Sequence, residues 1–125
     1  MTETRVPYAG LPWYLFVAGN PIPKGRPRVV DGHAYTPKRT QEYEALVRDA
    51  AALRWHSEPV TKDIQVYLKF YRENRRRVDI DNLAKAVLDA LNGLVWKDDA
   101  QIQRLVLERE VRSAEPGVEI TVRRA

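Results

Sequence analysis

Apolar and polar positions follow two rhythms along the 125 residues, and each rhythm predicts its own kind of element. Trp13-Tyr14-Leu15-Phe16-Val17-Ala18 is aromatic and β-branched, lies between Pro12 and Gly19-Asn20, and reads as a strand. Ile64 to Tyr71 alternates and reads as a second strand. Ile102 to Val111 and Val118 to Val122 are two more, joined by a turn at Glu115-Pro116-Gly117. The 3.6-residue rhythm occurs twice. Tyr43, Leu46, Val47, Ala50, Ala51 and Leu53 form a one-sided stripe, in a helix predicted from a Thr36 cap and Pro37 to about Trp55. Ile80, Leu83, Ala84, Val87, Leu88 and Leu91 mark the buried face of a second helix, stopped at Asn92-Gly93. Asp81, Lys85 and Asp89 follow one another at i, i+4 steps on its outer face.

Val29-Val30 and His33-Ala34-Tyr35 flank Asp31-Gly32, a strong hairpin signal. Pro21, Pro23, Gly25 and Pro27 forbid a helix or a central strand, so this stretch is expected as an extended, stiff loop with its cations held outward. Residues 1–10 are expected to be loosely ordered. The mixture predicts one α+β domain over residues 1–125, a two-layer fold with two main helices.

Composition narrows the function. No apolar run approaches the ~20 residues of a membrane helix, and the N-terminus lacks the apolar core of a signal peptide. There are no cysteines, which excludes disulfides, zinc–thiolate sites and thiol nucleophiles and fits a reducing cytoplasm. The net charge is +4 and the pI about 9.5, a balance that favours polyanionic partners. The cations are grouped. Lys24, Arg26, Arg28, Lys38 and Arg39 lie in one stretch, and Lys69, Arg72, Arg75, Arg76 and Arg77 in another. Lys24, Arg26, Arg28, Lys38 and Arg75–Arg77 are the candidate DNA contacts.

The acids gather between Asp79 and Asp99. Asp79 and Asp81 stand at the start of the second helix, and Asp98-Asp99 beyond its end. The helix carries the chain about 15 Å away, and Leu94 to Asp99 in extended form covers about 16 Å. The second acid pair can therefore return beside the first. Carboxylates brought together repel unless a cation holds them, and hard oxygen donors suit Mg²⁺ or Mn²⁺. Such an ion activates water and polarises a phosphoryl oxygen. Lys85, one turn past Asp81, is placed to offset developing charge. The plainer alternatives are a helix cap for Asp79 or Asp81, a turn at Asp98-Asp99, a surface ion pair for Lys85 and a solvated arginine run.

Asp79-Ile80-Asp81-Asn82-Leu83-x-Lys85, Leu88-Asp89-Ala90-Leu91-Asn92-Gly93 and Trp96-Lys97-Asp98-Asp99-Ala100-Gln101-Ile102 together resemble the signature of RusA-type Holliday-junction resolvases. Pro21-x-Pro-Lys-Gly-Arg-Pro-Arg28 and Tyr35-Thr36-Pro37 extend the likeness upstream. The resemblance implies a homodimer with a mixed sheet and flanking helices. It implies Mg²⁺-dependent, paired symmetric nicking of four-way junctions in DNA recombination and repair, in a family often carried by phages and prophages. Carried over by position, Asp79, Asp81 and Asp99 are the essential acids and metal ligands, with Asp98 as the alternative to Asp99, and Lys85 is the functional lysine. The rival readings are a catalytically silent nucleic-acid-binding module, a metal-dependent nuclease for flaps, single strands or RNA, and a structural homodimer binding an acidic protein. The sequence contains no Walker loop, His-rich zinc pattern or Gly-x-Ser-x-Gly elbow; no nucleotide cofactor is expected.

Overall fold

The computed structural model describes residues 10–125; the expectation for residues 1–10 falls, but for Gly10, outside them. Strand β1 is Trp13–Ala18, β2 Arg28–Val30 and β3 His33–Tyr35, followed by helix α1, Lys38–Ala52. Then come β4 (Ile64–Arg72), α2 (Ile80–Leu91), a single 3-10 turn at Asp99–Gln101, β5 (Ile102–Val111) and β6 (Gly117–Arg124). The main sheet has the order β1-β6-β4-β5, with β4 and β5 parallel and the other pairs antiparallel. The two helices are those the patterns predicted, and the sheet is mixed, as the resemblance implied.

The strand alternation decides which face is covered. Trp13, Leu15 and Val17, then Ile64, Val66, Leu68 and Phe70, then Val118, Ile120 and Val122 are all buried. They meet Tyr43, Val47 and Ala51 of α1 and Leu83, Ala84, Val87 and Leu91 of α2 in one core. Truncating a Leu at the centre of such a core costs about 2–5 kcal/mol. The positions between them, Gln65, Tyr67 and Lys69 among them, are only part-buried and form the opposite face.

Two expectations change, both in the first helix. Helix α1 starts at Lys38 after Pro37, without a side-chain cap, and ends at Ala52. Leu46 and Leu53 of its stripe stay exposed, because only the Tyr43–Val47–Ala51 row faces the sheet. The expected turn joins β5 to β6, but the two strands are not neighbours in the sheet. The turn steps across the end of β4, where the Arg112 amide donates to the Arg72 carbonyl (2.7 Å), and β6 enters between β4 and β1. Two strand spacings are about 10 Å, well within reach of five linking residues.

The β2–β3 hairpin stands apart as its own two-stranded sheet. Asp31 (φ 51°) and Gly32 (φ 77°) both occupy the left-handed region that a tight hairpin turn requires.

Candidate active site

Helix α2 begins where Asp79 leaves the extended segment after the arginines. An aspartate there most often caps the helix. Asp79 makes no such bond, and Asp81 Oδ1 accepts only from the amide of its neighbour Asn82 (3.0 Å). Both carboxylates remain open to solvent.

Beyond the helix, the chain does not run back extended. The Leu94 and Val95 amides both donate to the Leu91 carbonyl, and Val95 and Trp96 are fully buried. Trp96 bridges to Asn92 and to Val60, so burial tucks the segment under the end of α2. The Trp96 indole Nε1 donates to Asp99 Oδ1 at 2.7 Å and fixes that carboxylate. Asp98 faces a different task. Its Oδ1 accepts from the Ala100 amide (2.9 Å), while the Gln101 side chain accepts from the Asp98 amide (2.7 Å) in a reciprocal cap of the 3-10 turn. Gln101 also donates to the Val60 and Lys62 carbonyls and anchors the turn to the start of β4.

A shallow cavity of about 170 Å³ runs between α2 and β5, lined by Asp81, Ala84, Lys85, Leu88, Asp89, Asp99, Leu105 and Leu107. The structure thus brings Asp81, Lys85 and Asp99 to one groove; Asp79 and Asp98 are not among its lining residues. Among the described residues of one chain, no three acids or histidines lie close enough together to hold a metal ion. Lys85 Nζ reaches Asp89 Oδ1 at 3.4 Å while remaining largely exposed.

The proline-rich loop differs from its expectation. Lys24 turns inward, to Glu44 of α1 (2.7 Å) and Asp89 of α2 (3.1 Å). Burial pulls its ammonium down, but the two carboxylates outweigh that and hold its pKa above the usual lysine value. The loop is docked through its backbone: the Lys24 amide donates to the Asn82 carbonyl and the Gly25 amide to Thr40 Oγ1. A Cβ on Gly25 would stand 2.8 Å from Pro37, so only glycine allows this approach. Arg26 and Arg28 do face solvent, and Lys38 pairs loosely with Glu42 at 3.8 Å.

Arg75, Arg76 and Arg77 are exposed and line an open cavity of about 290 Å³ with Arg72 and Arg109. Neither Arg72 nor Arg109 was among the candidate contacts. The signal for Arg72 was present: it continues the inward row Ile64, Val66, Leu68, Phe70. Arg109 lies opposite Phe70 in the β4–β5 register, which only the parallel pairing reveals.

An α+β layer with acids and a lysine in one groove, and arginines just before the first acids, is the frame of a small nuclease domain. Residues 18–123 match the family described as Endodeoxyribonuclease RusA, and the chain belongs to that family. It is 29% identical to the uncharacterised protein YqaN of Bacillus subtilis (strain 168), covering 86% of this chain and 92% of that one. It is 26% identical to the crossover junction endodeoxyribonuclease RusA of Aquifex aeolicus (strain VF5), covering 87% and 89% respectively. Nucleases of this family depend in general on a divalent metal.

Proposed function

We propose that the chain is a Mg²⁺-dependent, structure-selective DNA endonuclease, one domain acting as a homodimer, that resolves four-way junctions by paired symmetric nicks in cytoplasmic recombination and repair. The observation that carries this reading is the groove shared by Asp81, Lys85 and Asp99. The activity is that named for the Aquifex aeolicus relative.

Asp79, Asp81 and Asp99 would hold the ion, their carboxylates being the hard donors Mg²⁺ prefers, with Mn²⁺ as substitute. When bound, the ion lowers the pKa of a water and polarises the scissile phosphate. Lys85 offsets the charge that develops on the phosphoryl oxygens. Arg75–Arg77, two residues before Asp79, and the exposed Arg26, Arg28 and Lys38 hold the backbone through phosphate contacts.

The sheet of one chain offers support for the dimer. Strand β5 is an edge strand with Leu105 and Val111 exposed, the kind of edge that a second chain covers. A two-fold pairing along β5 would give the two equivalent sites a junction needs.

The test is cleavage of a synthetic four-way junction with Mg²⁺ and with EDTA, beside fork, duplex and RNA substrates. Paired nicks on the junction alone, abolished by EDTA, are expected. Cleavage of the other substrates at equal rate would remove the junction assignment. A silent binding module is the second reading, favoured by the absence of a three-acid cluster among the described residues of one chain. Asp81→Asn separates the two: the enzyme loses cleavage and keeps binding.

A further inference from the structure

The inward row of β4 ends in a cation. Arg72 is 8% exposed, at the position where Ile64, Val66, Leu68 and Phe70 before it are apolar. A guanidinium this deeply placed is ordinarily paired with a carboxylate. Among the described residues Arg72 has none within 4 Å. Its Nη1 donates to the Arg76 carbonyl (2.8 Å), and its buried Nε has no partner. The two nearby acids fill the gap only in part: Glu110 is bound to Lys69 at 3.0 Å, and Glu73 acts on Arg72 from a distance, with no ion pair among the described residues. Burial, and then the Arg109 cation beside it, pull the Arg72 pKa below its usual value.

Arg72 also lies between two open cavities. One is that of about 290 Å³, which it lines with Asn74, Arg75–Arg77 and Arg109, and with Glu110 as its one acid. The other, about 240 Å³, adds Arg39 and Asn20, and with them Glu73. Each exceeds several times the roughly 30 Å³ share of one water. Arg109 Nη1 donates to the carbonyl of Val78, the residue before Asp79. The cluster is therefore tied to the backbone that presents the first acid.

We infer that Arg72, with Arg76, Arg77 and Arg109, forms a site for a phosphate group, the missing counter-charge of this cluster. The group is a phosphodiester of the nucleic-acid backbone or a free phosphate. The assignment of a backbone phosphate rests on the nuclease reading; the anion site itself does not. A backbone phosphate held here sets the strand's position relative to Asp79, which makes Arg72 and Arg109 positioning residues.

The experiment uses the full chain without divalent metal, so that binding is read apart from cleavage. Arg72→Met removes the charge and keeps most of the volume. In low-anion buffer it is expected to melt no lower than wild type, because an unpaired buried cation has gone. Inorganic phosphate raises the melting temperature of wild type and not of the variant, against sodium chloride at equal ionic strength. Affinity for junction DNA falls about tenfold or more, and the slope of log K against log salt falls by about one. Arg77→Met, on the exposed wall, gives a smaller loss of the same kind and stands in if Arg72→Met does not fold. Loss in the DNA arm assigns a backbone phosphate; loss in the phosphate arm alone assigns a free one. The proposal is overturned if neither arm changes, or if Arg72→Met melts lower with its DNA slope intact. A protein that binds in this way and cuts nothing would retire the nuclease reading and leave the phosphate site standing.

Discussion

The two basic stretches carry equal numbers of cations in the sequence, and each divides in the fold between cations held by carboxylates, such as Lys69 by Glu110, and cations that face solvent, such as Arg26 and Arg28. Lys24, in the proline-rich loop, is clasped by Glu44 and Asp89 and joins that loop to both helices. Arg72, Arg75, Arg76, Arg77 and Arg109 have no carboxylate within 4 Å among the described residues. The first cation is structural and the second group is available to an anion. Asp98 and Asp99 repeat the contrast at one peptide's distance: one caps a turn, the other lines the groove. Availability, and not the count of charges, is what points to a ligand.

Experiments can break this contrast at each level. The largest effect is expected from the acid pair. Asp99→Asn should lower junction cleavage roughly a thousandfold or more, as losing a group of the reacting centre does. Asp98→Asn, which keeps a good capping side chain, should leave cleavage within a few-fold. Equal losses in single-turnover assays would show that the two acids are not divided in this way.

Lys24→Met should act on stability. It leaves Glu44 without its cation and Asp89 with only the 3.4 Å contact to Lys85, at a part-buried site, and should cost about 1–2 kcal/mol, between the exposed and buried limits. The salt slope of DNA binding should not move. The sign with pH follows from the raised lysine pKa. The stabilisation is complete below the unfolded value near ~10.4 and is lost as pH rises through the higher folded value. Wild type and Lys24→Met should therefore differ in melting temperature at pH 7 and converge in strong alkali. A gap that widens with alkali would contradict the clasp.

Smaller effects complete the series. Asp98→Ala removes the cap and should destabilise by about 1 kcal/mol without loss of cleavage. Arg26→Ala and Arg28→Ala, on exposed side chains, should each reduce the salt slope by about one and change the melting temperature little. A drop in stability with no change in slope would place these arginines with Lys24 and not with Arg77.

Periodicity made the elements legible. The row Trp13, Leu15, Val17 and the row Leu83, Ala84, Val87, Leu91 announce buried faces, because side-chain direction along a strand or helix is set by local backbone geometry. The turn signal at Glu115-Pro116-Gly117 was also real, but a turn says that the chain reverses and not which strand it meets. That choice lay with β1 and β4, far away in sequence. The Leu94–Asp99 segment is not extended, because length says how far a segment can reach, while the burial of Val95 and Trp96 decides the path it takes.

For the site, the sequence alone determined the set of chemically capable residues: Asp79, Asp81, Lys85, Asp98, Asp99 and the arginines, with the family motif that joins them. Only the tertiary structure decided which of them are engaged elsewhere. Lys24 is engaged by partners on two helices and Asp98 by a local cap, while Arg72 stands at a buried position with no carboxylate within 4 Å among the described residues. The physical reason is that a charge's fate depends on what lies within a few ångströms of it, and those neighbours come from segments whose separation along the chain carries no record of their meeting.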